Sequence, residues 1–476
     1  MLSKVAVTGV DLDSVYAQTL QRIRDQKGDR SRLGIKVLMW ISHAERPLRI
    51  DELCHALAVR MEKTNLDPGN IRPKDVVLGS CLGLAVIDEE ASTVRPIHYT
   101  LQEYLSDPLI LPGAHEAIGE TCLAYLNYEQ IRELPANRIP NPRDSPFLEY
   151  SSLYWGSHAK LGLSSCGKSL AMELLTMYGD HVSATLLFNH LQSYDSPPVT
   201  DHQFTGLHCA SYFGVVEIVA ALIKMESCDV NQSDCEGFTP LMWAARRGNE
   251  GVVRLLLTLG DINPDIPDIY GQTPFWTASL EGHEGVVRIL LERTDVDPDR
   301  PENHGQTPLW RASSDGHEGL VRLLLARRDV NPDKPSDSGE TPLWRACLHG
   351  HDEVVELLLA RDDVNPDKPD NYGRTPLSWA SGSGNEAVVT RLLARRGVDP
   401  ERPDHIGRTP LLIAYMHGHQ EIITDLKRKT TRRYPIVDFP RDTAEHVLPW
   451  SVRSPQSFCG KSGTPATTWN QEWFRY

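Results

Sequence analysis

The chain has 476 residues, of which 40% are hydrophobic and 24% are charged, and its net charge is −15. This composition supplies enough apolar surface for folded cores and excludes general disorder. The acidic balance argues against a protein that coats nucleic acid, because phosphate binding requires a basic surface. No apolar run reaches the roughly 20 residues of a membrane-spanning helix. Nine scattered cysteines without a CxxC pair predict reduced thiols and no zinc site. The sequence therefore predicts an intracellular, soluble protein of the cytoplasm, with the nucleus as an alternative.

Residues 11–110 carry the pattern of three helices followed by a β-hairpin. Apolar residues recur at helical spacing in 12–23, 35–41 and 51–60, and a further helical stretch begins at Lys74. Two β-type runs then follow, 84–87 and 94–97, joined by polar residues. This order predicts a winged-helix module, and residues 111–198 are predicted to form a helical linker after it.

Three phrases in this region resemble one family. They are A-x-R-P-L-x-x-x-E-L-x-x-A-L-A-V over 44–59, G-L-x-x-I-D-E over 83–89 and V-R-x-I-H-x-T-x-Q-E-Y-L over 94–105. They resemble the winged-helix segment after the NACHT domain of fungal signal-transducing NTPases (STAND class, NLR-like). This module is also named for its likeness to part of GPI inositol-deacylase. The resemblance implies a winged helix, a helical linker and repeats, and it implies no deacylase chemistry.

The resemblance also implies a possible role for one histidine. In related receptors a winged-helix histidine can touch the phosphate of bound ADP, and His98 matches that place. The alternative is a buried histidine that closes the wing onto the next helix. We favour this structural interpretation, because the sequence contains no nucleotide-binding domain beside it.

A P-loop expression, G-x-x-x-x-G-K-[ST], is satisfied at 162–169. Its fixed positions are Gly162, Gly167, Lys168 and Ser169. A P-loop requires a buried strand before the loop, whereas 154–161 is typical of a linker helix. The roughly 30–40 residues between Lys168 and the first repeat also leave too little room for a parallel nucleotide-binding sheet. We interpret the match as coincidental, and we expect no catalytic residues, no cofactor and no metal site.

Repeats dominate the second half of the chain. The string G-x-T-P-(L/F) recurs every 34 residues and begins at Gly237, Gly271, Gly305, Gly339, Gly373 and Gly407. One period earlier, 204–210 fits the same frame with Gly206 in place of proline. Seven units of helix, glycine stop, second helix and proline-rich loop therefore run over 199–429. One such unit cannot cover its own apolar face, so stacking must supply the core.

Each unit resembles the ankyrin repeat, whose signature T-P-L-H-x-A precedes a glycine and a V-V-x-L-L-L helix. The resemblance implies a mainly α solenoid whose concave surface, made of loops and first helices, binds a protein partner. The signature histidine stands only at His208, and Trp276, Trp310 and Trp344 replace it in three repeats. We expect the histidine-centred hydrogen bonds usual in the family to be mostly absent, with larger apolar packing of these tryptophans in the core in their place. The N-P-D-x-P loops are predicted to project as stiff acidic tips.

Candidate partner contacts lie on the loops and first helices of the repeats. They are Tyr270, His304, Arg311, Arg345, Tyr372 and His405. The alternative for each is a side chain that only solvates the surface or covers a neighbouring repeat. Beyond residue 429, proline, serine and threonine accumulate without periodicity, which predicts a poorly ordered tail over 430–476.

The leading hypothesis is a non-enzymatic scaffold or sensor that binds a protein partner through the concave ankyrin surface. The first alternative is the regulatory and sensing arm of a longer NACHT NTPase, in which His98 would sense nucleotide. The second alternative is a P-loop NTPase that uses 162–169. Binding to nucleic acid is not expected, because the helical stretch before the hairpin, 72–81, carries only Arg72 and Lys74 as cations.

Overall fold

The structure is a computed structural model that describes residues 12–136, 140–192, 202–225 and 228–430. The fold is mainly α, as predicted, and the chain forms two compact units, Met1–Ile262 and Asn263–Tyr476. Apart from Thr430, the predicted tail lies outside the described residues. Within these ranges, no helix combines the length and apolarity needed to cross a bilayer.

The N-terminal part of the first unit combines short helices with a small sheet. Its helices are Leu12–Arg24, Asp29–His43, Ile50–Ala58, Lys74–Gly79 and Tyr99–Leu105, with a 3-10 turn at Pro68–Asn70. Its strands are β1 (Leu48–Arg49), β2 (Ala85–Asp88) and β3 (Thr93–Pro96), in the antiparallel order β1-β3-β2. Val94 at the centre pairs with Leu48 on one side and Ile87 on the other. The predicted helices and hairpin are confirmed; β1 is too short to give a periodic signal in the sequence.

Helices also fill the predicted linker. They are Ala114–Leu126, Glu129–Arg132, Leu148–Ala159, Ser165–Thr176 and Val182–Leu191, with a 3-10 turn at Tyr178–Asp180. Trp40 of the winged-helix module packs edge-on against Phe147 and Tyr150, at ring-centroid distances of 5.5 and 5.7 Å. All three rings are buried. Aromatic pairs of this kind contribute about 0.5–1.5 kcal/mol each beyond their buried area, so they hold the module on the linker.

Three histidines meet at this junction. His158 Nε2 lies 3.0 Å from the Tyr150 hydroxyl, and its Nδ1 lies 2.9 Å from Nδ1 of His115. The ring of His43 packs against His115 at 5.2 Å. Burial, with repulsion from His115 and His43, lowers the pKa of His158 to about 3. His158 is therefore neutral near pH 7, and only one of the two facing Nδ1 atoms carries a proton.

The linker also packs on the first two repeats. The Trp155 ring lies 5.4 Å from the Phe213 ring of the first repeat. Gly156 gives this ring its space, because a Cβ at residue 156 would lie 2.6 Å from Cδ1 of Phe213 and closer still to two other ring carbons. Lys160 Nζ donates to Asn249 Oδ1 of the second repeat at 2.8 Å. These contacts explain why both repeats belong to the first compact unit.

The repeats form helix pairs. They are Gly206–Phe213 with Val216–Leu222, Pro240–Arg246 with Glu250–Leu257, Pro274–Leu280 with Glu284–Leu291, Pro308–Asp315 with Glu318–Leu325, Pro342–His349 with Asp352–Leu359, Pro376–Ser383 with Glu386–Ala394, and Pro410–His417 with Gln420–Lys429. The residues predicted to begin and end the first helix of each repeat do so in the structure. Thr341, for example, accepts a hydrogen bond from the Trp344 N–H at 3.2 Å, and Pro342 occupies the first helical position. Gly350 then ends that helix in a left-handed conformation, with φ 75°.

Backbone hydrogen bonds join the turns of neighbouring repeats in the second unit. The donors and acceptors are Asn303 N–H to Tyr270 O, Asp337 N–H to His304 O, Asn371 N–H to Ser338 O and His405 N–H to Tyr372 O, at 2.9–3.0 Å. Each bond repeats the last one with a shift of 34 residues. The turns therefore form a continuous row of fixed spacing along this unit.

The N-P-D-x-P loops do not project as acidic tips, and that prediction is wrong. Asp299 and Asp367 are buried, with 9% and 7% of their surface exposed. Arg402 donates to the Asp367 carboxylate at 2.9 Å, and Lys334 Nζ donates to the Asp299 carbonyl at 2.8 Å. Stacking at a 34-residue period places each aspartate beside a cation of the next repeat, which compensates the carboxylate as it leaves water.

Candidate protein-binding face

The signature position of the repeat changes its chemistry along the chain. In the first repeat, His208 Nδ1 accepts from the Thr205 N–H at 3.0 Å, and its Nε2 lies 3.1 Å from the Phe238 carbonyl. Two repeats later, Trp276 Nε1 donates to the Gln306 carbonyl, the equivalent acceptor, at 2.9 Å. The indole thus takes over one bond of the imidazole. The expectation that the histidine bonds disappear is corrected at this position, because indole carries a donor that reaches the same carbonyl.

The tryptophans at this position are core residues, as predicted. Trp276, Trp310 and Trp344 are only 2–3% exposed. The Arg345 guanidinium lies 4.6 Å from the centre of the Trp310 ring and covers it. The ion-pair partner of Arg345 is Glu340, at 3.7 Å. The first-helix residue Arg345 therefore contacts both the turn residue Glu340 and the core ring of Trp310.

A second arginine extends this arrangement into the next repeat. The Arg374 guanidinium lies 4.6 Å from the ring centres of both Tyr372 and Trp379, and 5.9 Å from that of Trp344. Trp344 and Trp379 are themselves 4.9 Å apart. Arg345 also lies 6.0 Å from the Trp344 ring, so the two arginines share one indole. We call this set the arginine–tryptophan face; it consists of Trp310, Trp344, Arg345, Tyr372, Arg374 and Trp379.

The charges of the turns are arranged with the cation outermost. Arg374 Nε donates to Asp370 at 2.7 Å, and Arg408 Nε donates to Asp404 at 2.8 Å. The aspartate side chains are 0% and 1% exposed, whereas the arginine side chains are 23% and 35% exposed. Each carboxylate also accepts backbone N–H groups of its own turn. A partner approaching this surface therefore meets guanidinium groups and not the carboxylates that hold them.

The four turn residues proposed as contacts are all exposed. Tyr270 and Tyr372 are 46% and 62% exposed, and His304 and His405 are exposed as well. The backbone bonds of the turn row make Tyr270 a neighbour of His304, and Tyr372 a neighbour of His405. The His405 ring lies over Gly373, where an added Cβ would be 2.6 Å from its Cδ2. His405 thus covers a neighbouring repeat in addition to facing solvent.

The two first-helix candidates differ in their surroundings. Arg345 belongs to the arginine–tryptophan face together with Tyr372. Arg311 pairs with Asp315 of its own helix at 2.9 Å, with 19% of its side chain exposed. Sequence reasoning missed Arg374 and Trp379, which lie at variable positions of the repeat. The available signal was an arginine directly after Gly373 and another after Gly407.

His98 lies on the surface of the winged-helix module and caps the helix Tyr99–Leu105. Its Nδ1 accepts from the Thr100 N–H at 3.3 Å, and its ring packs on Tyr99 at a centroid distance of 4.4 Å. The prediction that His98 is buried is wrong, because its side chain is exposed at the start of this helix. It does join the wing to the next helix, and the nucleotide-sensing role stays a prediction.

The P-loop expression falls on a loop between two helices. The preceding element is the helix Leu148–Ala159, where a P-loop requires a strand. Gly162 lies in the connecting loop, and the following helix, Ser165–Thr176, contains the other fixed positions, Gly167, Lys168 and Ser169. Lys168 Nζ forms an ion pair with Glu217 of the first repeat at 2.6 Å. Elsewhere within the described ranges, no group of three histidine, cysteine or acidic residues has the geometry of a metal site.

Comparison with known proteins gives matches for both parts of the chain. The family model described as ankyrin repeats (three copies) matches residues 174–268, 261–335, 327–404 and 363–434. The model described as the winged helix domain of GPI inositol-deacylase matches 22–110. Among curated proteins, none matches the chain.

Solved structures of ankyrin repeat domains are also similar to this chain. The ankyrin repeat domain of Bcl-3, a member of the IkappaB protein family, is 27% identical and covers 50% of this chain and 100% of its own, with a TM-score of 0.42. The human ASB11 ankyrin repeat domain is 25% identical and covers 48% of this chain and 99% of its own, with a TM-score of 0.42. The ankyrin matches of the family model together extend from residue 174 to residue 434, more than half of the chain. This chain therefore belongs to the ankyrin repeat family.

Proposed function

We propose that this chain is a non-enzymatic scaffold that binds a protein partner through the turns and first helices of the second unit. The arginine–tryptophan face is the observation that carries this proposal. Arginine, tryptophan and tyrosine are the residues most enriched among interface hot spots. Here the exposed Tyr372 ring packs against the Arg374 guanidinium, which also lies 4.6 Å from the Trp379 ring, so neighbouring contacts fix both side chains before a partner arrives. Such preorganisation reduces the entropy cost of binding.

Affinity capture with matched variants tests the proposal. The full chain serves as bait in an extract of its own cells, beside Tyr372→Ala, Arg374→Ala and the control Arg322→Ala. Arg322 lies on a second helix with 63% of its side chain exposed, and it pairs with Glu318 on the same helix. We expect a partner that wild type and Arg322→Ala retain equally and that both face variants lose. With the purified partner, loss of a hot-spot side chain weakens binding by about 2 kcal/mol or more, roughly 30-fold. A partner that binds all four baits equally contradicts the assignment of the face.

We propose, as a second candidate, that the chain acts as the regulatory arm of a NACHT NTPase. The match of residues 22–110 to the winged-helix model supports it. The Trp40 and Trp155 contacts also connect the winged-helix module to the linker, and the linker to the first repeat. Sequencing the 5′ end of the transcript tests this candidate. An in-frame NACHT region upstream of Met1 supports the receptor arm and makes His98 a target for substitution, whereas a transcript that starts just before Met1 supports the scaffold alone.

A further inference from the structure

The first helix of the seventh repeat, Pro410–His417, exposes apolar side chains at the end of the stack. Tyr415 and Met416 are 45% and 44% exposed. The residues at the position of Tyr415 in the six earlier repeats are small and 0% exposed; they are Ser211, Ala245, Ser279, Ser313, Cys347 and Ser381. A large aromatic side chain therefore stands in solvent at a position that every earlier repeat buries.

The space that a following repeat fills is open beside the seventh. An added Cβ at Gly384 would lie 2.7 Å from Cε1 of His419 in the next repeat, whereas nothing described lies within 4 Å of one at Gly418, the equivalent position. The turns show the same change. Gly373 lies under the ring of the next turn, and among the described residues nothing lies within 4 Å of a Cβ at Gly407.

The surface left open is partly apolar and partly basic. Lys427, on the second helix of this repeat, occupies a position where the six earlier repeats carry leucine or isoleucine, such as Leu359. Its Nζ lies 5.0 Å from the centre of the Tyr415 ring, and Arg428 and Lys429 continue the basic edge. A repeat that ends a solenoid needs a polar outer face, and Lys427 provides it on the second helix. The first helix lacks such a residue at Tyr415, so the repeat by itself caps the stack incompletely.

The chain that follows the seventh repeat can reach this surface. Lys427, which lies at the Tyr415 ring, is three residues before Thr430, where the described part of the chain ends. The stretch 434–439, Tyr-Pro-Ile-Val-Asp-Phe, is apolar except for one carboxylate. Four residues of chain span at most about 14 Å, so this stretch begins close to the ring. A ligand on so short a tether acts at an effective concentration in the millimolar range.

We propose that residues 434–439 dock on the terminal face, which consists of Tyr415, Met416 and Lys427, and close the open end of the repeats. The apolar side chains of the stretch cover Tyr415 and Met416, and the Asp438 carboxylate compensates Lys427. A second copy of the chain is a poorer occupant, because a two-fold contact brings the same basic edge of both chains together. This inference does not depend on the proposed function, since it does not involve the arginine–tryptophan face.

Photo-crosslinking within the purified full chain tests this inference. The chain carries p-benzoylphenylalanine in place of Tyr415, and equal amounts of isotope-labelled and unlabelled chain are mixed before irradiation. We expect peptide mass spectrometry to find adducts between position 415 and the stretch 434–439. Both peptides of an adduct should carry the same label, because each chain covers its own terminal face.

Substitutions in the stretch separate docking from chance contact. Ile436→Asp combined with Phe439→Asp should lower the yield of this adduct at least about tenfold, because two apolar side chains then no longer leave water. Val452→Asp combined with Phe458→Asp is the matched control, since it places the same two charges elsewhere in 431–476, and it should leave the yield unchanged. Both pairs lie outside the repeat helices, so the repeats fold alike in all of these chains.

Four outcomes overturn the inference: no adduct, adducts spread evenly over 431–476, adducts that join a labelled to an unlabelled chain, or equal yields from the two double variants. Adducts of mixed label would assign the terminal face to a second copy of the chain.

Discussion

Gly156→Ala tests how the linker and the first repeat are joined. Gly156 lies on the helix Leu148–Ala159 directly below the Phe213 ring. An added methyl carbon would lie within 3.0 Å of three carbons of that ring, a separation that real Cβ atoms essentially never show. Phe213 is 6% exposed and packs on the fully buried Trp155, so it cannot move away freely.

Two opposing effects determine how much Gly156→Ala changes the free energy of unfolding. Overpacking a well-packed core costs about 1–3 kcal/mol, and occasionally more. Alanine gains up to about 1 kcal/mol over glycine in a helix interior. The clash involves three ring carbons and a rigid neighbour, so we expect a net loss of about 2 kcal/mol in the free energy of unfolding of the first unit. For a unit of this size, such a loss lowers the melting temperature by roughly 4–8 °C.

Urea and thermal unfolding, followed by circular dichroism, measure this change. Gly179→Ala is the matched control, because nothing lies within 4 Å of a Cβ there and its backbone is not left-handed. Its stability is expected to change by less than about 1 kcal/mol. Phe213→Leu should partly relieve the clash, so that Gly156→Ala costs less in that background than in wild type. An unchanged melting temperature for Gly156→Ala would refute the packing described between the linker and the first repeat.

Three further predictions concern pH, capping and the P-loop expression. Burial lowers the pKa of His158 to about 3 and of His208 to about 4, below the value of about 6.5 in the unfolded chain. Their contribution to stability is therefore complete above pH 6.5 and is lost progressively as the pH falls to about 4 for His208 and about 3 for His158. The urea midpoint should be lower at pH 5 than at pH 7.5, and less so in His208→Gln; equal midpoints would contradict this. Thr341→Ala should lower the free energy of unfolding of the second unit by about 1 kcal/mol through loss of the helix cap, as measured by urea unfolding. Thr341→Ser keeps a capping hydroxyl and should keep most of that free energy; equal losses in the two variants would exclude capping as the cause. Isothermal titration with Mg-ATP should give no binding heat for wild type or Lys168→Ala, and a micromolar affinity lost in the variant would establish a nucleotide site.

The local structure of the repeats could be predicted because its causes are local. A threonine, a proline and a glycine at fixed offsets begin and end each first helix, as Thr341, Pro342 and Gly350 do. These signals act over a few residues and recur every 34, so chance matches are excluded. The winged-helix hairpin could be predicted from the sequence for the same reason, whereas the two-residue strand at Leu48 could not.

Contacts between repeats could not be predicted, since they depend on how the units stack. Arg374 lies at a position where other repeats carry Gln272 or Glu340, and nothing local shows that it covers two indole rings. The prediction of projecting acidic loops is wrong for a related reason. Asp367 is compensated by Arg402, 35 residues further along the chain. The recurrence of a cation at that spacing was present in the sequence, but its meaning depends on the stacking period.

Site-specific photo-crosslinking tests the central claim most directly. A chain with p-benzoylphenylalanine in place of Tyr372 is expressed in its own cells, beside chains with the same residue in place of Arg322 or Arg288. The latter two lie on second helices, with about 60% of their side chains exposed. We predict one discrete protein adduct from position 372 on irradiation and none from the second helices. Adducts from the second helices alone, or none from any position, would contradict protein binding through the arginine–tryptophan face.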